Sequence, residues 1–234
     1  MKITLKISKS VITIFKLCLI LFALLAAAFL VYLAYEQYII YRTEQTYNML
    51  RKAYEKTIET SDFQWEKGKM NTGVLAEAFI KNLPVEKKCN FTNDGTCFPK
   101  QAYFTADALL TKGKSLSMNY SYKVLLKNGI GITIAVINPS CELLNNRCGE
   151  IYVDVNGPFK GPNRLSRDIF DFSIFKDRVE TYNIEGNHFP NCVYGGGHAC
   201  AAYLLKFKNR NYKSYKNYVK RHHLENTNMG EWLE

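Results

Sequence analysis

The chain has 234 residues, 47% of them hydrophobic, which supports a packed core and excludes wholesale disorder. Its length suits one membrane anchor plus one globular domain of about 150–180 residues. Lys and Arg number 31 against 21 Asp and Glu. That surplus favours anionic partners (lipid head groups, acidic wall polymers or nucleic acid) without choosing among them.

Residues 1–16 carry Lys2, Lys6, Lys9 and Lys16 and no acid. Leu17–Tyr35, "LCLILFALLAAAFLVYLAY", has no charge. As a helix at about 1.5 Å per residue it covers about 28 Å, close to a bilayer's hydrocarbon core. Positive residues stay inside, so a cytoplasmic N-terminus and an exported remainder are expected. Ala26–Ala28 resembles a signal-peptide cleavage site, but the apolar run continues past it, which favours an uncleaved anchor.

Helical spacing continues over 36–62, where Tyr47, Leu50, Tyr54 and Ile58 fall on one face. No Pro or Gly interrupts Lys16 to Asp62. The simplest expectation is one helix of about 45 residues; the alternative is two helices with a break near Glu36. Next, Thr72 is expected to cap a short helix over "GVLAEAFIKNL", stopped by Pro84. A charged "EKK" then leads into the loop "CNFTNDGTC". "YSYKVLL" and "IGITIAVI" flank Asn128-Gly129, a strong hairpin signal. "GEIYVDV" and "DIFDFSIF" read as two more strands, and "RVETYNI" as a fifth or a connection. "ACAAYLLKF" fits strand or helix equally. The expected class is α+β: a long N-terminal helix, then an antiparallel sheet in an extracytoplasmic domain over 63–219, then a flexible tail over 220–234.

Cys18 lies in the apolar segment and reads as a small apolar residue. The other six cysteines come as Cys89/Cys97, Cys141/Cys148 and Cys192/Cys200. An even number on the exported side points to disulfides. Several connectivities are open; nearness favours pairing each with its neighbour, at about 2.5 kcal/mol per loop. No zinc spacing occurs.

No catalytic constellation emerges. "HAC" places His198 two residues before Cys200, without a third orienting group, and an oxidised Cys200 is no nucleophile. Ser173–Lys176, "SIFK", matches an S-x-x-K pattern whose usual companion motifs are absent. Gly195-Gly196-Gly197 is neither a P-loop nor a dinucleotide fingerprint. His188 sits in a turn-like stretch, and His222 and His223 in the basic tail. The stretch "VDVNGPFKGPNRLSRDIFDF" offers oxygen ligands in Asp154, Asn156, Asn163 and Asp168, which suit calcium. It is longer than an EF-hand loop and lacks a terminal bidentate Glu. The favoured expectation is a metal-free turn held by Asp and Asn side chains bonding backbone N–H groups.

These pieces resemble a known group. The apolar helix runs into "YNMLRKAYEKTIE", and "YKVLLKNGIGITI", "CGEIYVDVNGPFKGPNRLSRDIF" and "GHACAAYLLKFKNRNY" follow. Together they are similar to bacterial type IV pilins and type II secretion pseudopilins, in the branch with a DVNG-K-GPN-x-x-G-x-D-x-F loop. The resemblance covers roughly Leu17 to Tyr212. It implies a non-enzymatic, cofactor-free subunit in the bacterial cytoplasmic membrane, partnered by pilin or pseudopilin subunits or secretion-machine proteins. Asp154, Asn156, Gly157, Gly161, Pro162, Asn163, Asp168 and Phe170 match the loop, whose implied role is to shape the sheet domain. Ser166 stands where the family usually has glycine, so the turn is expected to differ slightly.

One departure is large. The family's glycine, followed by Phe-Thr-Leu-x-Glu, is the prepilin peptidase site; here the region reads "SKSVITIFKL", with no glycine before Gly68 and no glutamate before Glu36. An unprocessed, permanently anchored protein is therefore expected, with Lys16 reaching the interface by its long stem. The basic, aromatic segment holding Lys206, Lys208, Arg210, Lys213, Lys216, Lys220 and Arg221 gives the alternative of an extracytoplasmic module binding DNA or an envelope polymer.

Overall fold

A computed structural model describes residues 9–60, 65, 70–104, 115–116, 118–142, 146–181, 192 and 197–212. Helix α1 spans Lys9–Thr60 without a break, so the one-helix expectation holds at Glu36. The chain divides into two compact units, Met1–Tyr38 and Ile39–Glu234.

In the first unit every side chain from Ile14 to Tyr35 is exposed, including Phe22, Leu24, Leu30 and Val31. A helix that is apolar on all sides and covered by no protein is matched to an apolar surrounding. It is long and apolar enough to cross a membrane.

The second unit is α+β. After the remainder of α1 come α2 (Thr72–Ile80), β1 (Val85–Asn90), β2 (Ala102–Tyr103), β3 (Ser115–Leu116), β4 (Tyr122–Leu126), β5 (Gly131–Val136), β6 (Gly149–Asp154), β7 (Ile169–Ile174), β8 (Val179–Thr181) and α3 (Cys200–Phe207). Six strands form one sheet in the order β1-β4-β5-β6-β7-β8, and every pair in it is antiparallel. β2 and β3 pair separately. The β4–β5 hairpin turns at Asn128-Gly129, with Gly129 at φ 79, where glycine escapes the Cβ clash.

Register assigns the two sheet faces. Tyr122, Ile134, Ile151 and Phe172 stand abreast, as do Val124, Ile132, Val153 and Phe170. These residues form the main core with Ile39, Leu50, Ala53 and Tyr54 of α1 and Leu75, Ala76 and Phe79 of α2. Tyr47 stacks on Phe172 at 5.4 Å between centroids. Along α1 the buried positions Ile39, Thr43, Thr46, Leu50, Ala53 and Thr57 step by threes and fours, the stripe an amphipathic helix presents to a sheet. The three threonines bond carbonyls one turn earlier at 2.7–2.8 Å, so their hydroxyls are satisfied inside the core.

Three sequence expectations change, and two open readings are resolved. The cap of α2 is Asn71, whose side chain accepts from Val74 N; Thr72 is the first helical residue and its hydroxyl accepts from Val136 N at 3.0 Å. α2 ends at Ile80, short of Pro84. The charged "EKK" is not a lead-in but edge strand β1, whose exposed Glu86, Lys87 and Lys88 and two register shifts guard the sheet edge against pairing with another chain. "ACAAYLLKF" resolves to helix, closed by Lys208 at φ 52. "RVETYNI" contributes the short strand β8.

Candidate functional site

The β6–β7 connection is built around Asp168, which is 0% exposed. Its Oδ2 accepts from Asn163 N at 2.8 Å and Asn156 Nδ2 at 3.2 Å, and its Oδ1 accepts from Arg164 N at 2.7 Å. Asn156 Nδ2 also donates to Gly161 O at 3.0 Å. Asp154 ends β6, and its Oδ1 accepts from Gly157 N at 3.1 Å. These are side-chain-to-backbone bonds of the kind by which Asp and Asn hold a long turn. Burial, and then the charge of Asp168, push the Asp154 carboxyl up to about 8. Burial also raises Asp168, against the N–H donors that hold its ionised form.

Close backbone contacts set the shape of this loop. Gly157 has φ 97, and a Cβ there would lie 2.7 Å from Gly129 O, so the loop rests on the hairpin turn. Arg42 of α1 donates from Nε to Val155 O and from Nη2 to Asn128 O, both at 3.0 Å, tying helix, loop and hairpin together. Ser166 has φ 70, so the backbone keeps the left-handed conformation that glycine favours, with serine in its place. Phe170 is in the main core.

The sheet's second face is polar and buried. Lys123, Thr133, Tyr152 and Asp171 stand abreast, with Ala135, Glu150 and Ser173 in the next row. A small apolar layer of Phe98, Ala102, Met118, Leu165 and Ile169 packs on Tyr152. Glu150 accepts from Tyr120 at 2.9 Å and from Tyr152 at 3.2 Å. Lys123 Nζ donates to Met118 O at 2.7 Å and Ser121 O at 3.0 Å, and burial lowers its pKa. His198 Nδ1 lies 2.9 Å from Asp171 Oδ2, with the Phe104 and Tyr152 rings beside it. His198 stands out in the sequence, whereas Lys123, Glu150, Tyr120 and Asp171 do not. The signal was present: Glu150, Tyr152 and Asp154, and Asp171 and Ser173, alternate with apolar residues at the two-residue period of a strand.

The His198–Asp171 pair makes a pH prediction. Burial lowers the imidazole pKa, but Asp171 outweighs it and the net shift is upward. Burial raises Asp171 as well. Both shifts mean that the folded chain holds more protons than the unfolded one, so stability falls as pH rises. The His198 contribution is fully present below pH 6.5, the ordinary histidine value, and disappears as pH climbs through the raised one. Thermal melts over pH 5–9, a range of about four units, should show Tm falling on the alkaline side, and His198→Gln should flatten that slope.

The cysteines pair as Cys89–Cys97, Cys141–Cys148 and Cys192–Cys200, each with its neighbour in the chain. Cys200 is thus not an available thiol beside His198. Ser173 is 2% exposed within β7 while Lys176 is exposed beyond the strand end, so the S-x-x-K pattern does not assemble. Three of the tail cations have partners within the chain. Lys206 lies over the Phe207 ring, Lys208 pairs with Glu44 at 2.8 Å, and Arg210 donates to Arg167 O. Lys213, Lys216, Lys220, Arg221, His188, His222, His223, Gly195 and Gly196 lie outside the described residues.

No family model, curated protein or solved structure matches this chain.

Proposed function

We propose that the chain is a membrane-anchored, pilin-like structural or assembly subunit of a type IV pilus or type II secretion-type system, and not an enzyme. The carrying observation is the use of one helix for two purposes. Its early residues are apolar on every side and uncovered, and Ile39–Thr60 supplies the stripe that fills one face of an antiparallel sheet. The polar groups of the other face serve a structural role, because Lys123, Glu150 and Asp171 are buried and bonded within the chain. The three disulfides and guarded sheet edge suit a domain that works outside the cytoplasm by shape.

Crosslinking in expressing cells, with mass spectrometry of the captured neighbours and of the intact chain, tests this reading. Pilin or secretion-machine components should be recovered, and the intact mass should retain the N-terminal residues. A soluble chain with free thiols, or repeated absence of those components, would overturn it.

A further inference from the structure

Three segments meet where α1 enters the second unit. Arg42 reaches the β4–β5 hairpin tip through Asn128 O and the β6–β7 loop through Val155 O, both at 3.0 Å. The end of α3 joins them: Lys208 pairs with Glu44 at 2.8 Å, and Arg210 donates to Arg167 O in the loop. Further along α1, Tyr54 bonds Phe175 O at the other end of the sheet. The hairpin tip, the β6–β7 loop and residues 208–210 therefore share one pole. Ile39 opens this unit and follows the apolar segment directly in the chain. Connectivity alone puts that pole beside any bilayer the segment crosses.

The pole carries an apolar tip among cations. Phe159 is 79% exposed, more than any large apolar side chain of the uncovered N-terminal helix. The turn that presents it is held: Lys160 N bonds Gly157 O at 3.0 Å, and Asn156 Nδ2 bonds Gly161 O at 3.0 Å across its base. A ring held out in water gains nothing from that position, whereas burial at a headgroup boundary stabilises it. Lys160 is exposed next to it, Arg167 in the same loop, and Lys127 on the hairpin against which the loop rests. Of the acids in these segments, Asp154 and Asp168 are buried and Glu44 is paired with Lys208. An aromatic ring with long basic side chains beside it is the composition of interfacial anchors.

We infer that this pole is a second membrane contact, in which Phe159 inserts among the headgroups of an anionic bilayer while Lys127, Lys160 and Arg167 face lipid phosphates. Charge complementarity selects an anionic surface, and continuity with the apolar segment selects a bilayer. Nucleic acid fits less well, because stacking along a strand uses a row of rings, and a single ring protrudes from this loop. The contact holds the domain down on the membrane instead of leaving it to swing on the helix, and salt weakens it. The inference rests on the membrane anchorage proposed above and not on the pilin-like assignment.

The test uses the full-length chain in vesicles of phosphatidylcholine with about 30% phosphatidylglycerol. In a Cys18→Ser background, Phe159→Cys carries an apolar fluorophore, and Lys176→Cys carries the same label at the exposed opposite end of the sheet. Headgroup-level nitroxide lipids should quench the label at 159 at least about twofold more than the label at 176. Charge reversal by Lys127→Glu with Lys160→Glu, or about 0.5 M sodium chloride, should remove most of that difference. Both substitutions are at exposed positions, and circular dichroism verifies that the variants fold. Equal quenching at the two labels, in a chain that still resists carbonate extraction, would overturn the contact and leave the anchorage standing. So would a difference that charge reversal leaves intact, or one abolished by duplex DNA at matched phosphate. Extraction of the wild type by carbonate would overturn the anchorage, and the contact with it.

Discussion

Asp168→Ala should lower the unfolding free energy by about 3–5 kcal/mol. Three donors converge on that carboxylate, two of them backbone N–H groups at Asn163 and Arg164. Removing it takes the shared acceptor from those donors at a position that is 0% exposed. The effect extends beyond the loop. Val155 N bonds the Asp168 carbonyl, and Arg42 of α1 bonds the Val155 carbonyl, so a loosened loop weakens a tie to the helix. Asp168→Asn keeps the size but presents an amide N–H to at least one backbone N–H, and should fall between alanine and wild type. Denaturant unfolding followed by circular dichroism measures all three. A loss below about 1 kcal/mol for Asp168→Ala would show that the carboxylate is not the hub of the loop.

Tyr54→Ala should cost about 3–5 kcal/mol by a different mechanism, a cavity together with lost hydrogen bonds. Tyr54 is 0% exposed and packs edge-to-face on Phe79 of α2 at 5.6 Å. Its hydroxyl donates to Phe175 O at 2.8 Å and accepts from Trp65 Nε1 at 2.9 Å. One side chain thus joins α1 to α2, to the end of β7 and to the stretch holding Trp65. Burial raises its phenol pKa, so it stays neutral and keeps its donor across the working range of pH. Tyr54→Phe separates the two contributions. It leaves the ring packing and should cost about 1–3 kcal/mol, the loss of the bonds to Phe175 O and from Trp65 Nε1. Equal losses for the two variants would mean that packing contributes nothing, contrary to the core arrangement.

Much of the architecture was legible because its signals are local. An unbroken helical stripe with no Pro or Gly determines α1, since each turn tests only residues three and four apart. Asn128-Gly129 between alternating runs determines the β4–β5 hairpin, because few dipeptides accept the required backbone angles. Ser166 shows the limit of such local reading: fold context holds it at φ 70 although serine does not favour that region.

Where two local readings were equally good, distant contacts decided. "ACAAYLLKF" has the composition of strand or helix; it is helix α3 because Ala201 and Leu204 find the main core on a helical face. The "EKK" stretch lacks strand propensity, yet it pairs with β4 because that edge was open and tolerates charge.

The sequence by itself determined the apolar N-terminal helix, the antiparallel hairpin and the even set of cysteines beyond the apolar segment, all properties of neighbours along the chain. Only the tertiary structure decided which cysteines meet, that Glu150, Tyr152 and Asp171 share a buried face, and that the hairpin tip, the β6–β7 loop and the end of α3 meet at one pole. Those outcomes depend on register between strands and on burial. Both arise from pairing segments far apart in sequence, and no local pattern encodes them.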